Sequence, residues 1–197
     1  MEKEYWEEVY GKDSIPTIPS NFANFCLDYF SPDSTILDIG CGNGRDSIFF
    51  SKKGFRVFAF DQSETSINSL KKKYKINPSF SISDIDTFNF SDFDVNIAYA
   101  RFLLHAISEQ TFEKLFDNIY DLLPKGGMFA TESRSDRTQI SEVGQTFSPH
   151  FRRLINLESL LRFSSSKKFK ILYYTEEKGL SVFENEDPYI IRLILQK

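Results

Sequence analysis

Asp38-Ile39-Gly40-Cys41-Gly42-Asn43-Gly44-Arg45 joins a short apolar run, Thr35-Ile36-Leu37-Asp38-Ile39, to a helical pattern from about Gly44 to Lys53. Glycines at alternate positions between a strand and a helix let the backbone turn sharply and approach a ligand closely. The dinucleotide fingerprint GxGxxG needs glycine at its sixth position, and here that position is Arg45. The pattern is instead GxGxG, with an acid, Asp38, two residues before the first glycine.

Outward from this loop, strand-like and helix-like segments alternate. Residues 55–60 form a second strand ending at Asp61, and a polar helix runs from about Ser63 to Tyr74. Residues 79–82 and 94–99 follow as strands. Then Phe112, Leu115, Phe116, Ile119, Leu122 and Leu123 repeat at helical spacing behind a candidate cap, Ser108. Pro124-Lys125-Gly126-Gly127 stops that helix. A fifth strand at 128–131, a short helix at 157–163 capped by Asn156, and strands at 169–175 and 189–195 complete the chain. The alternation predicts a single α/β domain with a seven-stranded, mostly parallel sheet and helices on both faces. The last two strands have no helix between them, so the final strand is expected to be antiparallel. Residues 1–30 read as an N-terminal lid segment with a helix whose Phe22, Phe25, Cys26 and Tyr29 share a face, and 31–197 as the main domain. The long connection 132–155 leaves the carboxyl edge of the sheet, where ligands of such sheets bind.

The 197 residues fit one domain. A net charge of −4 argues against a nucleic-acid coat. Cys26 and Cys41 make neither a disulfide framework nor a zinc site, so no metal is expected. The first eight residues lack the apolar stretch of a signal peptide, and no uncharged apolar run approaches the ~20 residues of a membrane span. The expectation is a cytoplasmic protein without nucleic-acid or membrane partners; the oligomeric state stays open.

The acid-GxGxG loop resembles motif I of class I S-adenosylmethionine-dependent methyltransferases. The resemblance implies their Rossmann-like fold and S-adenosyl-L-methionine as cofactor, with Asp38, Gly40, Cys41, Gly42 and Gly44 forming the loop. Asp61 stands where an acid accepts hydrogen bonds from ribose hydroxyls, with Gln62 beside it. Asp84 matches the family's adenine contact, Ile85 offers its amide to the ring, and Ala100 closes the set after the fourth strand. Arg45 is either a contact to the cofactor's carboxylate or the loop carbonyls, or an exposed helix-start arginine. Cys41 reads as a small loop side chain, not a nucleophile. Trp6 and Tyr10 are candidate cofactor-side contacts from the N-terminal segment.

Two nucleic-acid chemistries are disfavoured. The stretch Ala98-Tyr99-Ala100-Arg101 lacks the [DNS]-P-P-[YFW] motif of amine-modifying enzymes, and neither cysteine follows a proline. Arginine forks suit phosphate or carboxylate. Arg134, Arg137, Arg152 and Arg153 crowd the connection after strand five beside His150, and Arg101 follows strand four. They either bind an anionic acceptor or pair with Glu132, Asp136 and Glu142 to order a loop. Tyr5, Trp6, Tyr10, Pro19, Ser20 and Phe22, the run Tyr99–Ile107 and His150–Arg153 resemble small bacterial methyltransferases, some of capsule or surface-polysaccharide modification. That resemblance implies O-methylation of a small anionic metabolite, such as a phosphate- or phosphoramidate-bearing capsular polysaccharide precursor. Two alternatives stand. One is a sugar or other hydroxyl acceptor with His150 or His105 as base and Tyr99 as site wall or core. The other is a non-catalytic cofactor-binding partner.

Overall fold

Apolar residues at alternate positions place two sets of side chains on opposite faces of each central strand. In β1 (Thr35–Ile39), Leu37 and Ile39 enter one core cluster and Ile36 the other. The structure, a computed structural model, describes residues 3–10, 16–138, 153, 155–183 and 185–197. Its remaining strands are β2 (Arg56–Asp61), β3 (Ser79–Ile82), β4 (Ile97–Arg101), β5 (Met128–Arg134), β6 (Lys170–Glu177) and β7 (Ile190–Gln196). They form one sheet in the order β3-β2-β1-β4-β5-β7-β6. The first five strands run parallel, and β7 pairs antiparallel with both β5 and β6. This is the predicted seven-stranded sheet.

The helices cover both faces. On one lie α5 (Glu109–Leu122) and α6 (Leu157–Ser166), contributing Phe112, Leu115, Phe116, Ile119 and Leu160. On the other lie α2 (Asn21–Cys26), α3 (Arg45–Lys52) and α4 (Glu64–Lys73), contributing Phe22, Cys26, Phe50, Ile67 and Leu70. Each fully buried Phe or Leu adds roughly 1.5–3 kcal/mol. Hydroxyl and amide caps start the helices where the sequence places them. Ser63, Ser108 and Asn156 accept the amides of Ser66, Thr111 and Ser159. Among the described residues no helix is long and apolar enough to cross a membrane.

Three boundaries differ from the sequence expectation. An unforeseen first helix, α1 (Lys3–Tyr10), precedes α2. The fourth strand starts at Ile97, not Asp94, because the Asn96 side chain takes the Thr35 amide at 3.0 Å ahead of the ladder. The fifth strand runs to Arg134, through the start of the expected loop. Glu132 is fully buried there, and a lone buried carboxylate would end a strand. Two neighbouring strands neutralise it. Arg101 Nε on β4 and Arg192 Nε on β7 stand opposite Glu132 in register and donate to it at 2.9 and 2.8 Å.

Candidate functional site

Gly40, Gly42 and Gly44 all hold positive φ, at 72°, 54° and 72°. The amides of Gly40 and Cys41 both donate to the Phe60 carbonyl, tying the loop to the end of β2. At Gly42 a Cβ would lie 2.3 Å from the Tyr10 hydroxyl, so only glycine admits that ring. At Gly44 a Cβ would meet Leu70 at 2.8 Å; this glycine serves the packing of α3 against α4. Beyond the loop opens a cavity of about 570 Å³ at the carboxyl ends of the central strands.

One end of the cavity is acidic and amide-lined. Asp38, Asp61, Gln62, Ser83 and Ile85 line it with Gly40, Cys41 and Gly42. Asp61 Oδ2 accepts the Gly42 amide at 2.9 Å and Oδ1 the Ser63 amide at 2.9 Å. Burial pushes the Asp61 carboxyl up, and the amides of Ser63 and Gly42 pull it partly back. Burial raises Asp38 to about 8, although the Ser47 hydroxyl donates to it at 2.5 Å. Burial also pushes the Cys41 thiol up, which keeps it a neutral loop side chain. Gln62 is 6% exposed, and neither its amide nitrogen nor its oxygen has a protein partner. A buried orphan amide in a cavity wall requires a ligand that both accepts and donates. The edge of a nucleobase or a ribose has that chemistry, so these residues fit S-adenosylmethionine.

A roof crosses this end. Trp6 and Tyr10 line the cavity from α1, their rings stacked at 5.7 Å. Glu7, between them, caps the amino end of α4, accepting from the Glu64 amide at 2.6 Å, the Thr65 amide at 3.1 Å and the Ser63 hydroxyl at 3.2 Å. Hydrogen bonding, first from the Thr65 side chain and then from the Glu64 and Thr65 amides, holds the Glu7 carboxyl below its usual range against the opposing effect of burial. Lys3 adds an exposed ion pair to Glu64 at 2.7 Å.

The middle of the cavity contains a polar cluster around the expected Tyr99, whose partner Asp46 the sequence reading missed. Asp46 accepts from the Ser20 amide and hydroxyl, each at 2.7 Å, and from the Tyr99 hydroxyl at 2.8 Å. All three residues are buried and line the cavity. Burial, then the nearby Asp46, pushes the Tyr99 hydroxyl well up, so it stays protonated. The spacing of Ser20 from Asp46 gave no signal, because the pair forms only when α2 packs on α3.

The far end is basic and apolar. Arg45, Arg101 and Arg134 line it, facing Leu180, Ser181, Val182, Phe183 and Glu186 of the β6–β7 connection. Arg45 donates to the Ile18 carbonyl at 3.5 Å, and burial followed by the neighbouring Arg101 lowers its pKa. Arg101 Nη2 donates to Ser181 Oγ at 2.9 Å, and Arg134 pairs with Glu186 at 2.5 Å. No motif marks this wall of Leu180, Ser181, Val182, Phe183 and Glu186, so sequence reasoning could not find it.

Other expected site residues lie elsewhere. Ala100 points into the opposite core, because Tyr99 and Arg101 take the cavity face of β4. Asp84 turns aside to accept the Asp86 amide at 2.8 Å, leaving Ser83 and Ile85 on the cavity. Gly44 is taken up by helix packing, as above. His105 does not line the cavity; it is buried, with Nδ1 accepting the Arg134 amide at 3.2 Å and its carbonyl accepting the Arg153 amide at 2.7 Å. Arg137 pairs with Glu176 at 3.3 Å and covers the Tyr189 ring. Arg153 lies over the Phe112 ring, 4.1 Å from its centroid. Neither Arg137 nor Arg153 lines the cavity. His150 and Arg152 fall outside the described residues.

Residues 36–127 match the family described as a methyltransferase domain. Over 74 residues the chain is 38% identical to a probable S-adenosyl-L-methionine-dependent methyltransferase, TehB, of Haemophilus influenzae. That match takes in 34% of this chain and spans about a quarter (26%) of the relative's length. The fold resembles a solved SAM-dependent methyltransferase from Methanosarcina mazei, with a TM-score of 0.73, 16% identity, and 88% of this chain and 96% of that one covered. It resembles equally, at 0.73, a Burkholderia thailandensis 1,6-didemethyltoxoflavin-N1-methyltransferase solved with S-adenosylhomocysteine. There the identity is 14%, with 99% of this chain and 83% of that one covered.

Proposed function

We propose that this chain is a class I S-adenosylmethionine-dependent methyltransferase, a reading supported by the match of residues 36–127 and by the fold, and that it methylates an oxygen of a small anionic metabolite. The observation that carries the cofactor half is Gln62, an orphan amide beside Asp61 in the cavity wall. When bound, S-adenosylmethionine supplies an electrophilic methyl on a sulfonium. Gln62 and Asp61 would hold its nucleoside, the Gly40–Gly42 backbone would let it lie close, and Trp6 and Tyr10 would cover it.

Methyl transfer is an in-line displacement, so the protein's main task is positioning in a site closed to water. A phosphate-type oxygen is already largely ionised near pH 7, its second pKa being about 6. Such an acceptor needs a cationic seat and no base. Arg101 supports this reading: it lines the cavity, and its hydrogen bonds to Glu132 and Ser181 use Nε and Nη2. The resemblance to surface-polysaccharide enzymes makes a phosphoramidate-bearing capsular precursor the first acceptor to try. The Tyr99–Asp46 hydrogen bond favours a second reading, a neutral hydroxyl acceptor. Tyr99 would take that proton while passing its own to Asp46.

Calorimetry with S-adenosylhomocysteine tests the cofactor half. Micromolar or tighter binding is expected, weakened at least tenfold in Gln62→Leu, and no binding to the wild type would refute the assignment. For the acceptor, S-adenosylhomocysteine release is followed over a panel of phosphorylated, phosphoramidate-bearing and uncharged sugars. Turnover confined to the uncharged members, and lost in Tyr99→Phe, would replace the anionic reading with the second one.

A further inference from the structure

The basic end of the cavity has an apolar counterpart. Val182 and Phe183 are 60% and 46% exposed and line the cavity; Ile18, 73% exposed, lines it from the connection before α2. Single exposed apolar side chains are ordinary, but three lining one cavity, with Leu180 beside them, form an apolar wall.

This wall is held in place. Arg101 donates to the Ser181 hydroxyl at 2.9 Å, and Arg192 to the Leu180 carbonyl at 3.0 Å. Both guanidiniums are anchored on the fully buried Glu132. Arg134 fixes the far side through Glu186. Buried charge-assisted hydrogen bonds are the strong ones, so the connection presents Val182 and Phe183 in a set position. The same guanidinium, Arg101, offers charge to the cavity and braces its apolar wall.

We infer that the acceptor carries an apolar body beside its anionic group, and that Val182 and Phe183, with Ile18 across the mouth, select for it. The inference rests on the reading of this cavity as a joint donor and acceptor site. It excludes a bare phosphorylated sugar as the best substrate and favours an aryl- or alkyl-bearing phosphate ester or phosphoramidate.

The test uses protein saturated with S-adenosylhomocysteine and titrated with phenyl phosphate or inorganic phosphate. Phenyl phosphate is expected to bind roughly tenfold more tightly, the gain from partly burying one ring. The double variant Val182→Ser/Phe183→Ser abolishes that preference and leaves affinity for inorganic phosphate and S-adenosylhomocysteine unchanged, whereas Phe183→Leu keeps it. Both positions are exposed, so the variants fold, which melting curves check. Equal binding of the two probes to the wild type, or a preference that survives in the double variant, overturns the inference. Failure of S-adenosylhomocysteine to bind appears before any phosphate is added and refutes the cofactor reading instead.

Discussion

Asp38 sits under the glycine loop with its carboxyl raised to about 8, chiefly by burial. Between about pH 4 and that value the folded protein keeps a proton that the unfolded chain has released. The contribution of Asp38 to stability is therefore full at acid pH and is lost as pH rises toward 8. Urea midpoints at pH 5 and pH 7.5 are expected to fall less in Asp38→Asn than in the wild type; equal slopes would contradict the shift. Gln62 gives the converse case, a residue whose cost is borne without ligand. In Gln62→Leu the unliganded protein is expected to be unchanged or more stable by up to about 2 kcal/mol, because an unsatisfied amide is removed. Both residues were legible from the sequence through the loop and the acid after the second strand. The orphan state of Gln62 was not, because it depends on which groups the closed fold leaves within reach. Asp84 stands beside the cavity lining for a related reason: a short acid beside a turn takes up a local amide, here that of Asp86, with one of its oxygens.

At the scale of elements, α1 is held mainly by a polar contact. Its eight residues carry too few apolar positions to announce a helix, and its partner is the amino end of another helix, which no periodicity shows. Glu7 joins the two. Glu7→Ala is expected to free α1 and speed S-adenosylhomocysteine release about 3- to 30-fold, the effect of losing roughly 0.5–2 kcal/mol of cap. Trp6, the only tryptophan, reports this directly: its fluorescence shifts toward that of exposed indole in the variant. An unchanged emission maximum and release rate would show that α1 is held otherwise. The Glu7 pKa lies below its ordinary value, so the cap persists above the unfolded-state pKa and weakens as pH falls through the lower, folded-state value. The helices α2 and α4 to α6 were easier to read, since each pairs an apolar stripe with a capping side chain, while α3 is announced by the glycine loop before it. The connection between β6 and β7 was illegible, because its role comes from arginines on three other strands.

Across the whole molecule, parallel order and crossovers followed from alternation alone, and the family-like loop located the cofactor end. The charges at the sheet's centre were not legible in pattern. Glu132 entered only as one possible partner for loop arginines; it is the buried middle of an Arg101–Glu132–Arg192 row spanning β4, β5 and β7. Removing a buried carboxylate leaves two guanidiniums uncompensated. Glu132→Gln is expected to lower unfolding free energy by about 3–5 kcal/mol in urea titration. Loss below 1 kcal/mol would mean that water compensates the row.

The row also sets the acidic end of the cavity apart from its apolar wall. The acidic end is built from the β1 loop, β2 and the turn after β3, whereas the wall of Val182 and Phe183 hangs from one connection outside that half. A substitution or change of length in the 178–189 stretch can therefore retune what enters the mouth while the donor pocket stays intact.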